Sequence, residues 1–313
     1  MKALFSVDYG KEKFDKLREL GYEIQVINEG TIKEEDFPYD VDAYVCFDPF
    51  HKIDMDKFEN LKLLQLTSIG FDFVPKDKIR EKKIILTNNK GGYSIPMGEF
   101  IVFNLLQFAK NNRKLMKQQE EKRWKQDFTL TELYGKSVVF LGTGTISTEG
   151  AKRLQGFGMK VIGMNTKGTP QEYFDEVYPL DRYAEIFPKA DYLICVLPLT
   201  DSTRYFLDKE KLSLLPAHAN FINVSRGPLV KETDLVEVLQ EGRIAGAALD
   251  VFEVEPLPED SPLWEMEQVY LYPHTTWISE AMNDRRFELI YENLRRLKDG
   301  QELKNVVNLE RGY

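Results

Sequence analysis

Short apolar runs alternate with amphipathic stretches along almost the whole chain of 313 residues. A continuous apolar run of strand length is typical of a strand buried on both faces, and strands that alternate with helices predict a parallel sheet with right-handed crossovers. The predicted strands are Lys2–Val7, Tyr22–Ile27, Asp42–Phe47, Leu63–Leu66, Ile84–Thr87, Val138–Leu141, Met159–Met164, Ala190–Leu197, Phe221–Val224, Gly246–Val251 and Tyr270–Tyr272. The predicted helices are Lys11–Leu20, Phe100–Lys125, Glu149–Phe157, Glu232–Glu241 and Glu280–Lys298.

The segment Gly91–Glu99 interrupts this pattern. Its sequence, GGYSIPMGE, contains glycines and a proline of the kind that punctuate a chain. We therefore expect a hinge or crossover there, after a small α/β domain formed by the first ~95 residues. The apolar first half of Phe100–Lys125 fits either packing in a core or packing against a second subunit, and the sequence leaves both open.

Composition excludes several classes of partner. With 42% hydrophobic and 30% charged residues the chain can form about two globular domains, and its net charge of −9 argues against nucleic acid or an anionic membrane as a partner. Cys46 and Cys195 lie in apolar runs, which indicates buried small hydrophobes and a reducing compartment. The start does not resemble a signal peptide, and no apolar run approaches the ~18 residues of a membrane span. We expect a cytoplasmic protein without a metal site.

A glycine motif follows the strand Val138–Leu141. It reads Gly142, Thr143, Gly144, Thr145, Ile146, and a helix and a second strand come after it. A strand–glycine loop–helix–strand unit binds a dinucleotide, because the loop turns sharply, lets the backbone approach the pyrophosphate and presents the N-terminus of a helix. The alternative is an ordinary strand–helix turn that is rich in glycine.

Two residues depart from this dinucleotide-binding motif. Ser147 replaces the third glycine, so we expect slightly looser packing of the helix on the strand. Asn165 ends the second strand, where a carboxylate normally binds the ribose 2′-hydroxyl. Without that carboxylate a 2′-phosphate is not repelled, and Thr166 and Lys167 could bind it. The choice between NAD and NADP stays open, and these residues favour NADP slightly.

Polar residues collect after the later strands of the second domain. Arg226 follows one strand, Asp250 ends the next with Glu255 close behind it, and His274 follows the last. Ligands of an open parallel sheet bind beyond the carboxyl ends of its strands, so these side chains should meet at one edge. Histidine suits proton transfer near neutral pH, and an arginine fork suits a carboxylate. Each residue also has an ordinary alternative as a structural or solvated group; His51 and His218 are expected only on the surface or in loops.

Five motifs carry a family resemblance: GTGTIS, VSRGPLV, ALDVFEVEPLP and YPHTTW in the second half, and TSIGFD in the first. Together they resemble the D-isomer-specific 2-hydroxyacid dehydrogenases over nearly the whole chain. The resemblance implies NAD(P)-dependent hydride transfer between a 2-oxo acid and a (2R)-hydroxy acid. It also implies two doubly wound α/β domains and a homodimer that uses the helix after Met97. The substrate domain would comprise residues 1–97 and 280–313, and the dinucleotide-binding domain residues 98–279.

The resemblance also assigns roles to residues. Arg226, Glu255 and His274 match the catalytic three, with His274 as proton donor, Glu255 keeping it protonated and Arg226 binding the carboxylate end of the substrate. The loop Ser68, Ile69, Gly70 matches the segment that receives the carboxylate, and Asp250 matches the position that binds the nicotinamide amide. The further positions that match the lining of the cofactor site are Leu197, Pro198, Thr203, Val224, Ser225, Arg226 and His274.

Other residues depart from the family pattern. Tyr93 stands where many members have asparagine, and Trp277 where small residues are usual, so both could shape a substrate pocket; aromatic packing at a domain interface is the alternative. A nucleotide-sensing protein similar to the corepressor branch of the family, without turnover, is a competing function. A dinucleotide-binding hydrolase of the adenosylhomocysteine type shares the fold but does not explain Arg226, Glu255 and His274.

Overall fold

A computed structural model describes residues 1–310, and the chain divides into two compact units. The first, here called the N-terminal unit, consists of Met1–Tyr93 and of the C-terminal segment that begins at Ser279. The second, the central unit, is the continuous stretch Ser94–Ile278. In sequence, the central unit is therefore inserted into the N-terminal unit.

The N-terminal unit is built on a five-stranded sheet in the order β2-β1-β3-β4-β5, and all its neighbouring strands are parallel. This is the flavodoxin-like order of a doubly wound sheet. The strands are β1 (Lys2–Phe5), β2 (Glu23–Val26), β3 (Ala43–Cys46), β4 (Leu63–Leu66) and β5 (Ile85–Thr87). The helices are α1 (Lys11–Glu19), α2 (Lys76–Glu81) and, after the insertion, α9 (Met282–Lys298).

The central unit is built on a seven-stranded parallel sheet in the order β12-β11-β10-β9-β6-β7-β8. The order reverses between β6 and β9, and this switch point is where doubly wound sheets bind nucleotides. The strands are β6 (Ser137–Leu141), β7 (Lys160–Asn165), β8 (Glu176–Pro179), β9 (Tyr192–Cys195), β10 (Asn220–Asn223), β11 (Gly246–Leu249) and β12 (Val269–Leu271). The helices are α3 (Ser94–Ala109), α4 (Asn112–Glu120), α5 (Thr145–Gln155), α6 (Tyr183–Ile186), α7 (Lys209–Leu212) and α8 (Glu232–Gln240). The predicted α/β class with two doubly wound parallel sheets is confirmed.

Burial explains why the apolar runs became strands. Strands β3, β4, β9 and β11 are buried along their whole length. Because both faces of such a strand are covered, its residues do not alternate between polar and apolar. Both cysteines lie in such strands and are free and buried, as predicted. Burial raises the pKa of the Cys195 thiol to about 12, so this thiol stays protonated and unreactive near neutral pH.

Helix α9 closes one face of the N-terminal sheet. Its Phe287, Ile290 and Leu294 pack in one cluster with residues of β1, β3 and β4. The cluster joins residues that lie more than two hundred positions apart in sequence, so the N-terminal unit depends on both of its segments.

The single long helix predicted for Phe100–Lys125 is wrong. Helix α3 already begins at Ser94, inside the segment predicted as a hinge, and it ends at Ala109; α4 then begins at Asn112. Between them Asn111 has a left-handed backbone with φ 45°, which ends one helix and starts the next. Pro96 lies in the first turn of α3, where it removes no internal hydrogen bond. Within the described residues no helix is both long and apolar enough to cross a membrane.

Candidate active site

The glycine loop connects β6 to α5 at the switch point of the central sheet. Gly142 has φ 93°, and a Cβ there would lie 2.7 Å from the carbonyl oxygen of Val196. The turn therefore requires glycine both for its backbone conformation and for its close approach to the chain that follows β9.

Gly144 has a different reason to be glycine. It directly precedes α5, and a Cβ at this position would meet nothing within 4 Å. Among residues 1–310 no side chain caps the N-terminus of α5, so the first N–H groups of the helix are available to a ligand. Because the protein itself does not need glycine here, the open surface fits the pyrophosphate of a dinucleotide, which would lie against this backbone.

Ser147, the substitute for the third glycine, is completely buried, and its hydroxyl makes no hydrogen bond within the described residues. Close packing of α5 instead uses Gly150, whose Cβ would lie 3.1 Å from the ring of Phe140 in β6. Ser147 thus places a buried hydroxyl without a described hydrogen-bond partner in the helix, and the looser packing expected there stays a prediction.

Asn165 ends β7 and organises the turn after it. Its amide nitrogen donates to the Thr143 hydroxyl at 3.0 Å and to the Thr169 carbonyl at 2.8 Å. Its carbonyl oxygen accepts from the N–H groups of Lys167 and Thr169 at 3.1 and 3.0 Å. The neutral amide thus ties the glycine loop to this turn, and the Thr166 and Lys167 side chains are exposed beside it.

The chain after β9 is fixed by side-chain hydroxyls. Thr203 donates to the Pro198 carbonyl at 2.6 Å, and Ser225 donates to the carbonyl of Leu197. The predicted cofactor-lining residues that follow β9 and β10 are therefore bonded to each other at the edge of the sheet, which carries the carboxyl ends of these strands.

Arg226 is held by its own turn. The buried Asn223 accepts from the Ser225 N–H at 3.2 Å and donates to the Arg226 carbonyl at 3.0 Å. A Cβ at Gly227 would lie 1.9 Å from the backbone carbonyl group of Phe252. This close approach brings the turn that carries Arg226 against the loop that carries Glu255.

Glu255 and His274 form a pair. The Nδ1 atom of His274 lies 2.8 Å from Oε2 of Glu255, while Oε1 of Glu255 accepts from the Phe252 N–H at 3.0 Å. Burial raises the pKa of Glu255, but the hydrogen bonds from His274 and Phe252 and the charges of His274 and Arg226 outweigh it, so the pKa is lowered. Glu255 is therefore anionic near neutral pH and suited to hold a proton on Nδ1.

The backbone of His274 is left-handed, with φ 50°. Its N–H donates to the Asp250 carbonyl at 3.0 Å, and the Asp250 carboxylate accepts from the N–H groups of Thr275 and Thr276 at 2.7 and 3.2 Å and from the Thr276 hydroxyl at 2.6 Å. Burial raises the pKa of Asp250, against these hydrogen bonds. The residue predicted to touch the nicotinamide amide thus also holds the histidine turn.

The predicted carboxylate loop lies in the N-terminal unit, after β4. The carbonyls of Thr67, Ser68 and Ile69 accept from Tyr93, from the Asn89 N–H and from Asn88, respectively. Among the described residues, the N–H groups of Ile69 and Gly70 donate no hydrogen bond. With the carbonyls bound on one side, these N–H groups are available to an anion.

The side chain of Tyr93 is buried, and the contact of its hydroxyl with Thr67 fixes the loop. A direct contact of Tyr93 with substrate stays a prediction. Trp277 is partly exposed and contacts the histidine turn.

Sequence reasoning missed Asn223, Thr276 and Gly227, which position the proposed catalytic residues. Asn223 ends a predicted strand and Thr276 follows His274, but neither shows its partner in the sequence. Of the three, Gly227 was the easiest to find from the sequence, since a glycine directly after Arg226 indicates a close backbone approach. His51 and His218 are exposed, in accord with expectation.

Comparison with known proteins identifies the family. A model described as "D-isomer specific 2-hydroxyacid dehydrogenase, NAD binding domain" matches residues 102–276, which lie within the central unit. The chain belongs to the D-isomer specific 2-hydroxyacid dehydrogenases. It is an NAD(P)-dependent oxidoreductase that transfers a hydride between a nicotinamide cofactor and a 2-oxo or 2-hydroxy acid, as the motifs predicted.

Several relatives match most of the chain. The glyoxylate reductase of Thermofilum pendens is 33% identical over 282 residues, which are 87% of this chain and 82% of that protein. The glyoxylate reductase of Korarchaeum cryptofilum is 31% identical over 284 residues, 87% of this chain and 84% of that protein. The crystal structure of a D-isomer specific 2-hydroxyacid dehydrogenase from Xanthobacter autotrophicus Py2, in complex with NADPH and MES, has a TM-score of 0.87 and 30% identity and covers 100% of this chain and 99% of that one.

Replacing Gly144 tests the glycine loop. We expect Gly144→Ala to change the free energy of unfolding by less than about 0.5 kcal/mol, since its Cβ meets nothing, but to weaken binding of the cofactor roughly tenfold or more. Titration calorimetry and denaturant unfolding measure both. As a control, Gly142→Ala should destabilise the protein by ~1–3 kcal/mol because its φ is positive. Unchanged cofactor affinity in Gly144→Ala would contradict the assignment.

Proposed function

We propose that His274 is the general acid and base of the reaction. The observation that carries this proposal is the 2.8 Å contact of its Nδ1 with the Glu255 carboxylate, at the carboxyl ends of the central strands. Glu255 favours the protonated imidazole, which leaves the Nε2 proton for transfer to the carbonyl oxygen of a 2-oxo acid. A bound reduced nicotinamide supplies the hydride to C2. In the oxidative direction Nε2 takes the proton back from the 2-hydroxyl group.

Arg226 binds the acid end of the substrate in this proposal. The Arg226 guanidinium offers a planar fork to a carboxylate and polarises the carbonyl oxygen. In the N-terminal unit, the N–H groups of Ile69 and Gly70 suit a carboxylate because the neighbouring carbonyls are already bound. The names of the relatives make glyoxylate the first 2-oxo acid to test.

His274→Asn tests the proton transfer. Asparagine tolerates a left-handed backbone, so the turn should survive, while the acid is removed. We expect reduction of a 2-oxo acid to slow by ~10²-fold or more. Cofactor absorbance at saturating substrate measures the rate. His218→Asn, at an exposed histidine, serves as control and should retain full activity.

Activity of His274→Asn at the wild-type rate would refute the proposed role. If the wild-type protein turned over no member of a broad 2-oxo acid panel with either reduced cofactor, the non-catalytic, nucleotide-sensing alternative would be favoured instead.

We also propose that NADP is the preferred cofactor. The support is the neutral Asn165 at the end of β7, whose four hydrogen bonds fix a turn with exposed Thr166 and Lys167. A carboxylate at this position would repel a 2′-phosphate, whereas the Lys167 ammonium and the Thr166 hydroxyl attract one. The structure from Xanthobacter autotrophicus Py2 contains NADPH, in line with this preference.

Lys167→Ala tests this preference. We expect the dissociation constant for NADPH to rise about tenfold, as for loss of one charge-assisted hydrogen bond, while that for NADH stays unchanged because NADH has no 2′-phosphate. Fluorescence titration measures both. An equal loss for both cofactors, or tighter wild-type binding of NADH than of NADPH, would contradict the proposal.

We further propose that the protein is a homodimer, which buries an exposed arm, defined here as residues 116–134. Five large hydrophobic residues of this segment are exposed: Met116, Trp124, Phe128, Leu130 and Tyr134. Such a concentration of exposed apolar side chains marks an interaction surface, and it follows α3, the helix that the family resemblance assigns to the dimer.

The buried, free cysteines support a reducing, cytoplasmic location.

Introducing charge into the arm tests the dimer. The double variant Trp124→Glu with Phe128→Glu should shift the protein from dimer to monomer, because burying two carboxylates at an apolar interface is costly. Sedimentation velocity measures the mass. Phe157→Glu, at an exposed phenylalanine outside the arm, is the matched control and should stay dimeric. A wild-type protein that sediments as a monomer would refute the proposal.

A further inference from the structure

The turn that carries His274 adopts a conformation that its sequence does not favour. A left-handed backbone is uncommon at a residue with a Cβ and persists only where surrounding contacts hold it. The direction of the imidazole depends on this backbone, because Nδ1 must reach the Glu255 carboxylate. Whatever fixes the His274 peptide groups therefore also fixes the proton donor.

One side of His274 is fixed by Asp250. The Asp250 carbonyl accepts from the His274 N–H at 3.0 Å, and its buried carboxylate accepts from the N–H groups of Thr275 and Thr276. These bonds hold the entry to the turn and the two peptide groups that follow. None of them involves the carbonyl oxygen of His274 itself.

The other side is fixed by Trp277. Its indole Nε1–H donates to the carbonyl oxygen of His274 at 2.8 Å, an ordinary length for such a bond. The indole therefore binds the residue three positions earlier in the chain. It adds a second attachment to the turn that Asp250 already holds through its N–H groups. With both peptide groups of His274 bonded, the backbone cannot rotate to the more common right-handed form without breaking a hydrogen bond.

We propose that Trp277 is a positioning residue for His274, acting through the hydrogen bond from its indole to the His274 carbonyl. This inference rests on the proposed role of His274 and deepens it. Loss of the bond lets the turn relax and moves Nδ1 away from the Glu255 carboxylate. Two further charges act on this pair: the charge of His274 lowers the pKa of Asp250, and the charge of Arg226 lowers that of Glu255.

Trp277→Phe removes the donor and keeps an aromatic ring. We expect kcat/KM for 2-oxo acid reduction to fall about fivefold, as for one neutral hydrogen bond. The pH above which the reduction rate declines should move to a lower value, because Nδ1 then lies farther from the Glu255 carboxylate. If the ring only packed, its loss would change stability, and if it only contacted substrate, its loss would change KM. Neither role would shift the pH above which the reduction rate declines.

Trp264→Phe is the matched control. The Trp264 indole donates to the Pro258 carbonyl at 2.9 Å, so this variant loses the same kind of bond on an exposed surface of the same unit. Trp264→Phe should leave unchanged the pH above which the reduction rate declines. If both variants, or neither, shifted the pH above which the reduction rate declines, the inference would be overturned.

A second measurement does not depend on mutation. In the wild-type protein the indole N–H of Trp277 should exchange with solvent deuterium at least about tenfold more slowly than that of free tryptophan in the same buffer, because it is held in the bond to the His274 carbonyl. Equal exchange rates would refute the contact. A protein without turnover but with a protected Trp277 indole would instead refute the proposed function, so the two failures are distinguishable.

Discussion

Parallel pairing of the central strands is the constraint on which the rest of this molecule depends. Since β9, β10, β11 and β12 pair in parallel, their carboxyl ends meet at one edge, and residues 226, 250 and 274 arrive together from distant parts of the chain. The same edge receives the glycine loop after β6. Neither the nucleotide cradle nor the Glu255–His274 pair would exist if one strand ran the other way.

Close backbone approaches at two glycines bring the loops at this edge of the sheet into contact with one another. Gly142 lets the loop after β6 reach the chain after β9, and Gly227 lets the Arg226 turn reach Phe252. Asp250 and Asn223 then form hydrogen bonds with the backbone of the turns that carry the proposed catalytic residues. These two polar residues thus fix the backbone of the turns that carry Arg226 and His274.

The sequence predicted those parts of the fold that a residue's own neighbours determine. Strands buried on both faces appear as apolar runs, and the switch-point loop appears as a glycine pattern. The edge strand β8 was missed because it is only partly buried along its length, so its sequence EVYP has no strong period. The break at Asn111 was missed because the composition stays helical across it. The left-handed His274 could not be foreseen, because Asp250, which holds it, lies 24 positions away, directly after strand β11.

The insertion of one unit into the other has a consequence for biosynthesis. The central unit is a continuous stretch with its own sheet and core, and it is synthesised before α9. The N-terminal sheet acquires Phe287, Ile290 and Leu294 on its open face only when that last helix leaves the ribosome. Until then a nascent chain carries a completed nucleotide fold beside an unfinished sheet with exposed apolar surface, which is a natural substrate for chaperones.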